Sequence, residues 1–134
     1  MHLSLKLEPN FSSSEKIRKE LLKAVHTVHG NSRMPAADDF CQIVSELVNN
    51  AVEHGQSSFL HADISVDNEQ ATFTLTTDGI PFDPTMIKAT MPDFDEHNDL
   101  PEGGYGLAII HKLSDSFFYR FKEGNNVTTV VKLF

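Results

Sequence analysis

The chain has a single cysteine, Cys41, so no disulfide can form within it, and this fits a reducing cytoplasm. Cys41 falls among helical residues beside an apolar flank, which points to a buried, inert thiol. No apolar run approaches the ~20 residues of a membrane span, and the N-terminus lacks a basic-then-apolar leader pattern. Neither a membrane partner nor secretion is therefore expected. Cations are also scarce. Eleven Lys and Arg against nineteen Asp and Glu leave a net charge of −8, which disfavours nucleic acid and anionic membranes as partners. A small nucleotide stays open, because backbone N–H groups and a metal can meet its charge. There is no internal repeat, low-complexity tract or linker. Residues 1–134 read as one domain, long enough to bury roughly two-thirds of the unfolded surface.

What is present is organised around Ile43–Gly55. At about 100° per residue, Phe40, Ile43, Val44, Leu47, Val48 and Ala51 form one apolar flank of a helix. Glu46 and Asn50, one turn apart, project from the polar side with Glu53 beside them. A carboxylate and a carboxamide held this way on a rigid helix can hold a divalent cation or a water.

Before this helix, Leu3, Leu5 and Leu7 alternate with polar residues in a short half-buried strand, broken by Pro9 and Asn10. A helix follows, capped by Ser12, Ser13 or Ser14 and carrying Ile17, Leu21, Leu22, Ala24, Val25 and Val28 to about His29. Gly30-Asn31 stops it. His26 and His29 lack a third ligand and read as packed or solvated. Pro35 opens the central helix, and Gly55 ends it.

Beyond it, residues 59–66 and 71–77 read as a hairpin turning at Asp67-Asn68. Asp78-Gly79-Ile80-Pro81-Phe82-Asp83-Pro84 is a strand-end turn, with a short helix expected from Pro84 to Ala89. Met91 to Glu102 is acidic and aperiodic, as functional loops often are. Gly103-Gly104-Tyr105-Gly106 leads into a helix from Leu107 to about Ser114. Two strands, 117–121 and 127–133, close the chain around a Glu123–Asn126 turn. This order predicts an α+β fold, a two-layer α/β sandwich with helices on one face of a mainly antiparallel sheet.

The ordered set Glu46/Asn50, Gly79 and Gly103–Leu107 resembles the boxes of the GHKL (Bergerat-fold, histidine-kinase-like) ATPases, and among them the small anti-sigma-factor serine/threonine kinases of bacterial partner switching. The likeness covers nearly the whole chain; Asp115, Tyr119 and Gly124-Asn125 also look like the family's C-terminal segment. The resemblance implies ATP and Mg2+, with Glu46 as general base and Asn50 as metal ligand. It implies Gly103, Gly104, Gly106 and Leu107 at the phosphates, with the 91–102 loop as the lid. His54 would line the pocket or pack near the helix end, and Asn49 would be structural. It further implies a STAS-domain anti-anti-sigma phosphoacceptor, a sigma factor or other regulator as alternative partner, and a homodimer.

One position departs from the pattern. The family places an adenine-recognising Asp two residues before the first glycine, where this chain has Thr77. Asp78 directly precedes Gly79, and adjacent side chains on an extended strand end face opposite ways. Either a bulge re-aims Asp78, or adenine recognition is weakened or lost. This departure motivates an alternative reading, a non-catalytic or weakly nucleotide-binding partner-switching regulator that acts by binding alone. A detached histidine-kinase catalytic domain is a third alternative.

Overall fold

The computed structural model describes residues 1–54, 56–81, 83 and 104–134. The predicted helix at 84–89, the acidic 91–102 loop, Gly55, Phe82, Pro84 and Gly103 fall outside them. Eight elements follow in order: β1 (His2–Leu7), α1 (Ser12–His29), α2 (Met34–His54), β2 (Leu60–Val66), β3 (Gln70–Thr77), α3 (Gly104–Leu113), β4 (Ser116–Lys122) and β5 (Asn125–Leu133). The strands form one sheet in the order β1-β2-β3-β5-β4, with every neighbouring pair antiparallel. The expected α+β architecture is what the chain forms.

Period-two alternation decides which face of the sheet is covered. Leu60, Ala62, Ile64 and Val66 of β2 and Ala71, Phe73 and Leu75 of β3 are buried on one side, together with Val130 of β5. They pack with Ile17, Leu21, Ala24 and Val25 of α1 and with Phe40, Ile43, Val44, Leu47 and Val48 of α2, all in a single core. Each such large side chain contributes roughly 1.5–3 kcal/mol by leaving water. The apolar flank read from the Ile43–Gly55 stretch is therefore the seam that seats α2 on the sheet. Cys41 is 6% exposed in that seam, and burial pushes its thiol up to about 11, which makes it inert at neutral pH.

Local chemistry sets the ends of these elements. None of the three serines caps α1 as expected; they lie inside the helix, and Phe11 occupies the cap position without a side-chain bond. Asn10 takes over the role. Its Oδ1 accepts the Ser13 N–H (3.2 Å) and the Ser12 hydroxyl (2.6 Å), because a carboxamide just upstream can reach an orphan donor of the first turn. Gly30 ends α1 at φ 61°, its N–H donating to His26 O at 2.8 Å. At the β2–β3 turn, Asp67 accepts the N–H groups of Glu69 (2.8 Å) and Gln70 (2.9 Å), which hold its carboxyl below the usual range. His29 is packed rather than ligating: it bonds Asp67 O at 2.7 Å and meets the Phe134 ring edge-on.

Two boundaries differ from expectation in ways that matter. The helix expected from Leu107 begins at Gly104, so Gly104 and Gly106 belong to its first turn. The β4–β5 turn is shorter than the four residues expected. Lys122 pairs with Asn125, and Glu123 (φ 53°) and Gly124 (φ 82°) alone make the turn, both in the left-handed region that such tight hairpins require. Asn125 and Asn126 consequently join β5, and Asn126 becomes the register partner of Thr77.

Candidate active site

The C-terminal half of α2 and the ends of β3 and β5 converge at one end of the covered face. The short 55–59 connection leads from His54 to Leu60, and Leu60 is opposite Thr77 in the β2–β3 ladder. Ser57 reinforces this closure by donating its hydroxyl to Asp78 O at 2.8 Å. The last turns of α2 are thereby held near the Gly79 turn.

On α2, the expected pair is present with unequal burial. Asn50 is buried at 7% exposure, and its Nδ2 has no hydrogen-bond partner among the described residues. An unpaired buried amide costs about 1–3 kcal/mol, so the fold tolerates here a loss that a bound acceptor could recover. Glu46, one turn earlier, is half-buried, and its Oε1 accepts the Gln42 amide at 3.3 Å. Burial raises the Glu46 pKa above its ordinary 4.5; the Gln42 bond opposes this shift, and the nearby Glu53 carboxylate adds to it. A carboxylate tuned upward beside a wanting amide is the arrangement expected of a base next to a charged ligand. His54 and Glu53 lie exposed at the helix end, 3.5 Å apart.

Among the described residues no cluster of three or more His, Cys, Asp or Glu could hold a metal by itself. The donor set instead suits a hard cation shared with a ligand's phosphates, which needs one amide oxygen from the protein and takes the rest from phosphate and water. Asn50 provides that oxygen type.

At the sheet end of the site, Thr77 is 4% exposed and Thr128 6% exposed. Both lie on the helix-covered face, Thr77 opposite Asn126 and Thr128 opposite Leu75, which makes the two threonines diagonal neighbours. Neither hydroxyl is hydrogen-bonded among the described residues. The Gly79 turn is pinned from the side: buried Asn126 donates its Nδ2 to Ile80 O at 2.9 Å, and Tyr119 donates its hydroxyl to Asn126 Oδ1. Gly79 has φ 101°, a conformation that favours glycine.

Asp78 does not turn into the site. Its carboxylate accepts the Ser58 N–H (2.7 Å), the Ser58 hydroxyl and the Phe59 N–H (3.4 Å), and these donors hold its pKa below the ordinary 3.8. Of the two alternatives for this position, no re-aiming occurs: Asp78 ties down the segment leading into β2, while Thr77 alone faces the helices. Asp115 is also structural, its carboxylate accepting the Leu133 N–H at 2.7 Å. Asn126 is the site residue that sequence reasoning missed. Its only signal was the pairing of a tight turn with two asparagines, which the four-residue turn expectation concealed.

A family model for the histidine kinase-like ATPase domain matches residues 12–132. The chain belongs to that family. Solved structures agree on the fold. The RsbU and RsbW domains of Rv1364c from Mycobacterium tuberculosis superpose at a TM-score of 0.68 with 16% identity, over 99% of this chain and 32% of that one. This chain thus spans about a third of the mycobacterial one. The Acinetobacter baumannii histidine kinase AdeS gives 0.51 with 16% identity over 98% of this chain and 67% of that one. The catalytic domain of histidine kinase ThkA gives 0.50 with 12% identity over 99% and 97%. No match is found among curated proteins. In this histidine kinase-like ATPase domain, Glu46 and Asn50 lie on α2, Gly79 makes the turn after β3, and Gly104 and Gly106 lie in the first turn of α3. Gly104, Gly106 and Leu107 fall in that helix; no helix among the described residues is long and apolar enough to cross a membrane.

Proposed function

We propose that this ATPase domain is an ATP- and magnesium-dependent serine/threonine protein kinase of the anti-sigma-factor type. It would phosphorylate a STAS-domain anti-anti-sigma partner in the cytoplasm and otherwise sequester a sigma factor or comparable regulator, in the family manner as a homodimer. The observation that carries this reading is the half-buried Glu46, with its raised pKa, one turn from the buried Asn50, whose Nδ2 has no partner among the described residues. The superposition on a chain with an RsbW domain supports the anti-sigma branch.

In this reading Asn50 would hold the magnesium through its amide oxygen, leaving Nδ2 to donate to an acceptor on the bound nucleotide. The metal's contribution when bound is to neutralise charge on the transferring phosphoryl group. Glu46 takes the proton from the attacking hydroxyl, and burial, by keeping its pKa above the usual carboxylate range, makes it a better base. Gly104 and Gly106, with the Leu107 N–H, cradle phosphates at the start of α3, where backbone donors and the helix dipole favour an anion; Gly103, next to them in sequence, lies outside the described residues. Thr77, Asp78 and Gly79 form the base end, with Thr77 facing inward, Gly79 giving the turn, and Asp78 supporting it from outside. His54 borders the site at the end of α2.

Glu46→Gln tests this directly. The variant should bind Mg-ATP as the wild type does while losing about 10²–10⁴-fold in transfer to a cognate STAS-domain protein. Equal transfer rates would remove Glu46 from the chemistry. A second reading is favoured by one observation: Thr77 offers no carboxylate and Asp78 is engaged elsewhere. In that reading the domain works by sequestering a partner, without phosphoryl transfer. Wild-type transfer to a STAS-domain protein would exclude it.

A further inference from the structure

The base end of the site has a composition that bears on which nucleotide it takes. The buried polar residues among those described are Ser13, Asn50, Thr77, Asn126 and Thr128, and none of them is ionisable. Four of these five lie at the site end of the covered face: Asn50 on α2, and Thr77, Asn126 and Thr128 on the adjoining strands. The nearest acid in sequence, Asp78, is bound to Ser58 and Phe59 in the segment leading into β2. The turn itself is built and anchored, through Asn126 to Ile80 O and Tyr119 to Asn126. Thus this end has not collapsed, and the buried polar groups described there are all neutral.

The consequence follows from donor and acceptor roles. At position 6, adenine presents an amino donor and guanine a carbonyl acceptor. An ionised carboxylate only accepts, so it pairs with the first and repels the second. A threonine hydroxyl carries one donor and two acceptor lone pairs and rotates to suit its partner. Thr77 is buried, and its hydroxyl is unbonded among the described residues, with Thr128 as a second such hydroxyl diagonal to it. Either base edge can therefore be met at the same position.

We infer that the base end, read by Thr77 with Thr128 beside it, accepts guanine as well as adenine, so that the phosphoryl donor class is purine nucleoside triphosphates and not ATP alone. This rests on the proposed function for where the nucleotide lies, and goes beyond it in base specificity. Fixed groups at this end (Asn126 and the Ile80 carbonyl) hold the turn. Selectivity for the base passes to a rotatable hydroxyl.

The test is calorimetric titration of the full chain with Mg-ATP and Mg-GTP, in the wild type, Thr77→Asp and Thr77→Val. Wild-type dissociation constants for the two nucleotides should agree within about tenfold, and Thr77→Asp should shift the ratio toward ATP by more than about tenfold, since a charged acceptor replaces a neutral one. A carboxylate at so buried a position can unfold the chain, so each variant is first checked by circular dichroism. Thr77→Val keeps the shape and should weaken both purines together, leaving their ratio unchanged. Wild-type preference for ATP of more than tenfold would overturn the inference while leaving the proposed function standing. A Thr77→Val variant that binds both nucleotides like the wild type would also overturn it. Binding of neither nucleotide by the wild type would overturn both readings.

Discussion

Replacing Asn50 by leucine should make the protein more stable and the site worse. The side chain is 7% exposed, and its Nδ2 is without a hydrogen bond among the described residues. Leaving a buried donor unmade costs about 1–3 kcal/mol, and an apolar group of the same branching avoids that cost. Leucine is somewhat bulkier, and a near-isosteric misfit takes back up to about 1.5 kcal/mol. The net expectation is a gain of about 1 kcal/mol, or roughly 3–5 °C in Tm for a domain of this size. Urea unfolding followed by circular dichroism reads the change as a higher midpoint at unchanged slope. In parallel, Mg-dependent ATP binding should fall at least about tenfold, because the metal's amide ligand is gone. An Asn50→Leu variant less stable than the wild type by about 1 kcal/mol or more would show that the amide is satisfied in the fold. The reasoning that assigns it to a ligand would then fail.

Other perturbations follow from the same geometry. Because burial raises the folded pKa of Glu46 above 4.5, the folded chain holds that proton to higher pH than the unfolded one. Stability should therefore decline as pH rises through the window just above 4.5 and level off beyond the folded pKa, and Glu46→Gln should flatten that decline in pH-dependent melts. Asp78 has the opposite sign: its lowered pKa stabilises the fold above 3.8 and loses that contribution as pH falls, so Asp78→Asn should reduce the acid sensitivity while weakening the 57–59 closure. Tyr119→Phe removes the donor to buried Asn126 and should cost about 1 kcal/mol in denaturant unfolding. Phe73, fully buried under the helices, should cost about 3–5 kcal/mol on truncation to Ala.

Hydrophobic period carried most of the fold into view. The alternation of β1, β2 and β3 and the stripes of α1 and α2 locate the elements to within a residue or two, because burial on one face is what those periods encode. Hydrogen-bond partners were harder to read. Asn10 could not be distinguished from the serines beside it as the cap of α1, since each offers an acceptor to the same orphan N–H groups. Within the site, the α2 pair was legible from spacing alone, but the burial of Asn50 was not: a residue at the border of an apolar flank is buried or exposed according to what packs against it. The role of Asn126 depended on one register, set by a two-residue turn at Glu123-Gly124 instead of a four-residue one. Where a turn shortens by two residues, strand identity, facing and partner all change for its flanking asparagines. The direction of Asp78 was legible from strand geometry, and its Ser58 and Phe59 partners explain why no bulge is needed.

In the proposed function this face of α2, with the Gly79 turn, binds a nucleotide through a metal. Calorimetric titration of the wild-type chain with ATP, with and without magnesium, tests it most directly. One saturable site is expected, with a dissociation constant on the order of micromolar, that weakens at least about tenfold when magnesium is withheld. Absence of saturable binding at millimolar Mg-ATP would contradict it.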